Sequence, residues 1–252
     1  MKSLIKFSNR QHLVIQLLVA ISAVAGAFLM KWTLPWILAS ILAFYLYSVV
    51  GVSMVLHRYY AHRSYEFKNI FLKRVFTLVA ILAARGTPAS WSMVHRMHHK
   101  HADTKLDPHK PDKFNLFSFR SAFRKDFNLF SIKDMITKEH NFINQYHICI
   151  IIIWCLVLLI ISPALLYFLW ILPVFINQIS QDVWNYVSHT PLGYRNFEIP
   201  DNSRNNKWLW PFILGEAWHN NHHNSPGRFT TKIKPMEVDP LAFLITLIKT
   251  HV

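Results

Sequence analysis

Nine of the fifteen histidines in this 252-residue chain fall into four short clusters. Two clusters share the spacing HxxHH, as HRMHH at residues 95–99 and HNNHH at residues 219–223. A third, HRYYAH, covers residues 57–62, and the fourth is the single His189 in the string NYVSH. On a helix, residues i, i+3 and i+4 share one face, so each HxxHH is expected to direct three imidazoles to one point.

Nine imidazoles suit two metal ions, because one ion rarely binds more than six ligands and zinc usually binds four. Neutral imidazole is a good ligand for iron, zinc, copper or nickel, so the spacing leaves the metal open. A surface that binds metal adventitiously is the simpler alternative, and the repeated HxxHH disfavours it. The predicted ligands are His57, His62, His95, His98, His99, His189, His219, His222 and His223.

A few carboxylates lie close to these clusters in the sequence. Glu216, Asp103 and Asp107 either accept a hydrogen bond from the far side of an imidazole or are solvated charges, and both readings stay open. Outside the clusters, His101 and His109 adjoin HRMHH, and His109 is expected to be structural or to support a ligand and not to bind metal itself. The isolated histidines are expected at the membrane boundary or the surface: His12, His140, His147 and His251.

The composition indicates a membrane protein. Charged residues make up 16% of the chain and hydrophobic residues 52%, whereas charged residues are about 25% of a typical soluble domain. The mean hydropathy of +0.21 excludes a disordered chain. The two cysteines, Cys149 and Cys155, lie in an apolar run without CxxC spacing, which argues against a disulfide framework and a thiolate metal site.

Three stretches without charged residues must position the clusters. Residues 13–30 and 34–56 are each long enough for one spanning helix, and residues 140–181 are long enough for two. The pair Ser162-Pro163 marks a turn in the third stretch. We therefore predict an all-α integral membrane protein with four transmembrane helices in two hairpins, at about 12–30, 33–56, 142–161 and 163–188. Residues 75–84 are too short to span and are expected to be interfacial or buried.

The distribution of positive charge predicts the orientation. Two hairpins leave the N-terminus, residues 57–139 and residues 189–252 on one face, which carries 26 of the 27 Lys and Arg residues. The positive-inside rule makes this face cytoplasmic, with both termini on that side. A single domain over residues 1–252 with a cytosolic histidine-rich cap follows. The net charge of +14 is attributed to anionic lipid, a phosphate-bearing headgroup or an acidic electron carrier and not to nucleic acid, for which no module is present.

The motifs and their order resemble the membrane fatty acid desaturases, in particular the Δ9 acyl-CoA or acyl-lipid type of the bacterial and cyanobacterial branch. The resemblance covers about residues 50–245. It rests on five strings: HRYYAHRS, GTPASWSMVHRMHHKHADTKLDPHKP, NYVSH with GYRNFE, DNSRNNKW, and GEAWHNNHHNSPG. The chain departs from the family pattern at Tyr186 and Ala217, where the family has serine and glycine, and in the stretch NSPGRFTTK.

The resemblance implies an oxidoreductase that holds two Fe²⁺ ions and uses O₂ to desaturate a long-chain acyl group. It implies that all nine histidines listed above are iron ligands and that Asn185 holds one iron through a water molecule. It also implies four transmembrane helices, a cytosolic cap and, for a bacterial member, the inner membrane. Because the chain contains no cytochrome b5-like module and no GxGxxG motif, a separate ferredoxin- or cytochrome b5-like donor is expected to supply the electrons.

Two other functions are open at this stage. A membrane di-iron hydroxylase or monooxygenase shares the histidine motifs and differs only in its product. A non-catalytic metal transporter or sensor is disfavoured, because transport normally places polar ligands within the spans. The sequence leaves open the choice between acyl-CoA and acyl-lipid, the chain length and bond position, the donor, the oligomeric state, and which histidines share an ion.

Overall fold

The computed structural model describes residues 2–110 and 129–250, with side chains described for residues 11–110 and 131–250. Within these ranges the protein is helical, and the only β-pairing consists of isolated bridges such as Phe67 with Lys249. The helices are α1 (Lys2–Leu29), α2 (Leu34–Ala61), α3 (Ile70–Leu82), α4 (Pro88–His101), α5 (Lys138–Ile161), α6 (Pro163–Ser188), α7 (Trp210–Ile213), α8 (His219–Asn224) and α9 (Pro240–Ile248).

The prediction of four membrane-length helices is confirmed. The apolar spans are Gln11–Leu29 within α1, Leu34–Ala61, Lys138–Ile161 and Pro163–Ser188. The predicted break at Ser162-Pro163 is also present, because Ser162 ends α5 and its side chain caps the start of α6. α5 begins four residues before the predicted start because Thr137 accepts a hydrogen bond from the His140 backbone and caps the helix.

The predicted end of the second helix at residue 56 is wrong. Its last 16 residues, Leu46–Ala61, are π-helical and continue past the charged Arg58. The charge is tolerated inside the helix because the guanidinium is paired with two buried carboxylates. His57 therefore lies within a helix, where its backbone is held on both sides.

Glycine allows close packing at two helix crossings. Gly51 of α2 lies against the backbone of α3, where a Cβ would be 3.1 Å from the Val79 carbonyl oxygen. Gly26 of α1 lies against the Tyr167 ring of α6, whose hydroxyl donates to the Ala23 carbonyl at 3.0 Å. The outward faces of the four spanning helices carry large exposed apolar side chains such as Phe28 and Ile160, as expected of surfaces that face lipid.

Two helices after α2 place the first HxxHH motif. α3 exposes Phe71 on one face and buries Ala80 on the other, so the predicted interfacial or buried segment has one exposed and one buried side. α4 begins at a capping box in which Thr87 and Ser90 bond each other's backbone amides. Further along α4, Arg96 donates to the Tyr60 and Ala61 carbonyls, which ties this helix to the end of α2.

Candidate metal centre

The structure brings all nine clustered histidines together and divides them into two groups. In each group, the potential ligand atoms all lie within 4.8 Å of one another. The first group, here the five-histidine group, consists of His57, His62, His95, His99 and His222. The second, here the four-histidine group, consists of His98, His189, His219 and His223.

The expectation that each HxxHH directs three imidazoles to one point is wrong. In α4, His95 and His99 join the five-histidine group and His98 joins the other. In α8, His219 and His223 join the four-histidine group and His222 joins the other. The reason is geometric, because neighbouring residues on a helix point about 100° apart and cannot converge on one ion. Both helices therefore lie between the two groups and contribute to each.

The spacing of nitrogen atoms in the five-histidine group fits one octahedral ion. The Nε2 atoms of His57 and His222 are 2.9 Å apart, and those of His99 and His222 are 3.0 Å apart. His95 Nε2 lies 2.8 Å from His62 Nε2 and 3.0 Å from His99 Nε2. Neighbouring ligands of an octahedral ion with bonds of about 2.1 Å are about 3.0 Å apart. These residues therefore fit a metal ion.

The four-histidine group also fits a cation. His189 Nε2 and His219 Nε2 are 3.0 Å apart. The Nε2 atoms of His98 and His223 are buried and have no hydrogen-bond partner within residues 11–110 and 131–250. A buried imidazole nitrogen without a hydrogen-bond partner destabilises the folded protein unless a ligand satisfies it. Coordination of a metal ion would satisfy it.

Carboxylates fix the far nitrogen of four imidazoles. Glu216 Oε2 lies 2.9 Å from His57 Nδ1, and Asp107 lies 2.9 Å from His98 Nδ1. The corresponding distances are 3.1 Å from Asp103 to His189 and 2.8 Å from Asp201 to His223. A carboxylate at Nδ1 favours a proton there and leaves the Nε2 lone pair for a metal ion. Of the two readings left open for Glu216, Asp103 and Asp107, these contacts match the one in which each carboxylate orients an imidazole.

Arg58 connects two of the buried carboxylates. Its Nε donates to Glu216 at 2.9 Å, and its Nη1 donates to Asp239 at 2.9 Å and to the Phe229 carbonyl at 2.9 Å. Burial would raise the pKa of Glu216, but the charges of His57 and Arg58 and their hydrogen bonds lower it to about 2. Glu216 is therefore an anion that joins Arg58 to an imidazole of the five-histidine group.

Burial also keeps most of the imidazoles neutral. In five histidines the pKa lies well below its usual value, mainly because of burial and secondly because of the charges of neighbouring histidines. These five are His62, His95, His99, His219 and His222. Burial lowers the pKa of His223 to about 4, although its bond to Asp201 opposes the shift. Neutral imidazole is the form that binds metal, so these side chains are ready ligands at neutral pH.

The metal-free protein is expected to lose stability as the pH falls below about 6.5. Between that value and the lowered pKa of about 4 for His223, the unfolded chain binds protons that the folded chain does not. Stability therefore falls with falling pH, because the unfolded state binds more protons. The measurement is the thermal unfolding midpoint of chelator-treated protein in lipid nanodiscs across this range. His222→Gln should flatten the pH dependence and His101→Gln, outside both groups, should not. A midpoint independent of pH would contradict this prediction.

Asn185, the predicted water-mediated ligand, lies beside both groups. Its side-chain amide donates to the His109 carbonyl at 2.8 Å. Together with His57, His98 and His219, it lines a small cavity of about 50 Å³. This volume exceeds the roughly 10–15 Å³ that one water molecule requires, so the cavity can hold water. The position is compatible with the predicted role, and the contact to residue 109 uses its backbone carbonyl and not the imidazole.

Sequence reasoning missed three residues around the site, which are Asp201, Arg58 and Asp239. The signal available for Asp201 was the scarcity of acidic residues, only 13 in the chain, because each one near a histidine cluster is then a candidate partner. The surface position expected for the isolated histidines is wrong for His140 and His147, which are 9% and 2% exposed. The prediction for His251 falls outside the described residues.

The comparisons with known proteins identify a family. The fatty acid desaturase family matches residues 30–235. An sn-1 stearoyl-lipid 9-desaturase of Anabaena variabilis is 30% identical over 192 residues, which cover 73% of this chain and 70% of that protein. An sn-2 palmitoyl-lipid 9-desaturase of Nostoc sp. (strain 36) is 28% identical over 247 residues, 90% of this chain and 83% of that protein. An sn-1 stearoyl-lipid 9-desaturase of Synechocystis sp. is 31% identical over 193 residues, 72% of this chain and 60% of that protein.

Buried imidazole groups at the end of a bundle of membrane-length helices define a metal-binding membrane protein. With a family match over residues 30–235, the chain belongs to the fatty acid desaturase family. The resemblance seen in its motifs is confirmed, and the protein is an oxidoreductase of fatty acid metabolism.

Proposed function

We propose that this chain introduces a Δ9 double bond into a long-chain saturated acyl group at a centre of two Fe²⁺ ions. The observation that supports this most directly is the division of nine imidazoles into groups of five and four with closely spaced donor atoms. In this proposal the five-histidine group binds one ion. The four-histidine group binds the other, together with a water molecule held by Asn185.

Iron is proposed because of the bond that must be broken. Removing hydrogen from an unactivated methylene requires a stronger oxidant than any side chain supplies, so a metal cofactor must carry this chemistry. When bound, the iron would supply an O₂-dependent oxidation that takes two hydrogens from adjacent methylenes. The overall reaction is R–CH₂–CH₂–R′ + O₂ + 2 e⁻ + 2 H⁺ → R–CH=CH–R′ + 2 H₂O.

The residues of the chain have three tasks in this reaction. The carboxylates beside the imidazoles, such as Asp107 at 2.9 Å from His98, hold each ring in one orientation and tautomer. Apolar side chains that line the cavity, among them Val52 and Trp91, limit the access of bulk water. The spanning helices hold the site at the membrane edge, where an acyl chain enters from the lipid and its headgroup stays at the polar face.

The setting we propose is one membrane desaturase domain over residues 1–252, with its helices in two hairpins in a bacterial inner membrane. Residues 57–139 and 189–252 form a cytosolic cap, and both termini are cytoplasmic. The support is the excess of Lys and Arg on this side. A separate acidic electron carrier, ferredoxin- or cytochrome b5-like, docks on the basic face and supplies electrons one at a time.

The substrate proposed first is a C16 or C18 chain in a membrane lipid. The relatives are named stearoyl-lipid and palmitoyl-lipid 9-desaturases, which supports an acyl-lipid over an acyl-CoA. Acyl-CoA is the second choice, because its phosphates would also be attracted to the basic face of this chain, whose net charge is +14.

The test is expression of the chain in a host that lacks its own Δ9 desaturase. Gas chromatography–mass spectrometry of the fatty acids, with the bond located by derivatisation, should show new Δ9 monounsaturated C16 or C18 acids. Lipid-class separation before hydrolysis, after a short labelling pulse, shows whether the product first appears in lipid or in acyl-CoA. A hydroxylated acyl chain as the main product would replace the desaturase proposal with a hydroxylase.

A further inference from the structure

The membrane-spanning helices contain a set of buried polar side chains that the metal centre does not use. Each is at most 6% exposed and has a side-chain nitrogen or oxygen atom without a hydrogen-bond partner among the described residues. They are Gln16 on α1, Asn144 and His147 on α5, and Asn177 and Gln178 on α6. An unsatisfied polar group costs several kcal/mol in a bilayer, so such a set requires a ligand that satisfies it.

On α5 this polar surface begins at the end of the helix nearest the proposed cytoplasmic face. The helix starts at Lys138, and His140, Asn144 and His147 follow one another on one face at spacings of four and three residues. All three side chains are buried, and Nε2 of His140 has no partner among the described residues either. With a rise of 1.5 Å per residue, His147 lies about 14 Å along the helix from Lys138.

His12 on α1 lies between this surface and the turn that joins α3 to α4. Its ring is close to His147 of α5, to Arg85 and to the backbone of Ala84. Gln16 lies one turn further along α1 from His12. Ala84 has a positive φ of 53°, which is unusual for a residue with a side chain, in the turn that carries the buried Arg85. The turn thus brings a cation to the interior of the helical bundle.

From Arg85 the polar surface continues along α6 to the metal centre. Arg85 Nη2 lies 3.2 Å from Asp182 Oδ1, and the two side chains are 6% and 9% exposed. Asn177, Gln178, Gln181, Asp182 and Asn185 recur at spacings of three and four residues and so form one polar stripe on α6. The last three residues of this stripe line the cavity of about 50 Å³ together with His98 and His219.

We propose that these side chains hold a chain of water molecules that carries protons from the membrane boundary near His140 to the cavity beside the two histidine groups. This inference rests on the proposed function, because each double bond formed by that reaction consumes two protons and releases two water molecules. Amide side chains suit the task, since each can donate and accept hydrogen bonds with water at the same time. An acyl tail in the same place would leave these amides and imidazoles unsatisfied, which argues against an acyl channel.

The experiment compares isosteric replacements at a buried and an exposed position of α5 and at a buried position of α6. Asn144→Leu and Asn177→Leu each remove a buried amide that has no hydrogen-bond partner within residues 11–110 and 131–250. The matched control is Asn141→Leu, since Asn141 precedes Asn144 by one turn of α5 and is exposed. Each protein is loaded with iron in nanodiscs and supplied with O₂, a reduced donor and a saturated substrate. The readouts are iron content, double bonds formed, hydrogen peroxide released, the ratio of rates in H₂O and D₂O, and the thermal unfolding midpoint.

The two buried variants should lower the rate of double-bond formation by roughly tenfold or more, as expected for lost proton delivery. Their H₂O/D₂O rate ratio and hydrogen peroxide release should rise, with iron content as in the wild type. Asn141→Leu should stay within about twofold of the wild-type rate. If both buried variants keep the wild-type rate and have a raised unfolding midpoint, the proposal is overturned. The amides would then be unsatisfied groups that destabilise the fold and carry no protons. A changed bond position without a changed isotope ratio would also overturn it and favour an acyl channel.

A readout that does not depend on turnover separates failure of this inference from failure of the proposed function. X-ray hydroxyl-radical footprinting labels buried side chains that adjoin bound water. We expect labelling of His147, which is 2% exposed, and none of Phe168, which is 0% exposed. Absence of label at His147 would overturn the water chain even if the protein desaturates lipid. Labelling without any alkene product would support the water chain and refute the desaturase.

Discussion

Replacing His222 with alanine is expected to abolish desaturation and to lower the iron content from two ions per chain to one. His222 Nε2 lies 2.9 Å from His57 Nε2 and 3.0 Å from His99 Nε2, so its loss opens the five-histidine group alone. His98→Ala should have the same consequence in the four-histidine group. A metal centre contributes several kcal/mol to transition-state stabilisation, so turnover should fall by at least about a thousandfold. The measurements are iron per chain after anaerobic reconstitution and double bonds formed.

The matched control for both variants is His101→Ala. His101 lies on α4 one turn after His98 and belongs to neither group. It should retain two ions and near wild-type turnover, and all three variants should insert into the membrane. Turnover in either the His98 or the His222 variant would remove that residue from the ligand set. One ion or none per wild-type chain would contradict the two-ion reading as a whole.

Replacing Arg58 with methionine is expected to cost about 3–5 kcal/mol of stability, because it leaves the buried carboxylates of Glu216 and Asp239 without their cation. The guanidinium is 1% exposed and makes bonds of 2.9 Å to each of them. Because Glu216 also holds His57 at 2.9 Å, the affinity of the five-histidine group for metal should fall by about 10–100-fold. The measurements are the thermal unfolding midpoint of metal-free protein and a metal competition titration.

Arg63→Met is the matched control for this prediction. Arg63 lies five residues further on, its side chain is 65% exposed, and its ion pair with Asp134 is 3.9 Å long. An exposed pair of this length contributes little to stability, so this variant should stay within about 1 kcal/mol of wild type. Equal stability of the two variants would show that Glu216 and Asp239 do not depend on Arg58.

The element types and approximate positions of the fold were predictable, because lipid imposes a strong constraint on sequence. A spanning helix must satisfy its own backbone hydrogen bonds and present apolar side chains to lipid. The absence of charged residues therefore identifies the spanning segments, which are residues 13–30, 34–56 and 140–181. The same rule placed the end of the second helix too early. It treats Arg58 as incompatible with a buried helix, whereas Glu216 and Asp239, more than 150 residues away in the chain, neutralise it.

The sequence predicted which histidines form the site but not how they divide into two groups. Repeated HxxHH motifs place imidazoles within reach of one another on a helix, which is a local property that spacing reveals. The partition of His98 from His95 and His99 depends on what lies on each side of α4, and that is a property of the packed structure. The same holds for Asp201, whose pairing with His223 joins residues 22 positions apart.

The sequence by itself determined the four apolar spans, the family, and the identity of the nine clustered histidines, because each of these is carried by local spacing or by recurring strings. Only the tertiary structure decided that the histidines form groups of five and four and that four carboxylates hold their far nitrogens. It also decided that a buried polar stripe on α6 reaches the cavity beside both groups. The physical reason is that hydropathy and helical spacing act over a few residues, whereas ligand sharing, ion pairing and burial depend on which helices pack against one another.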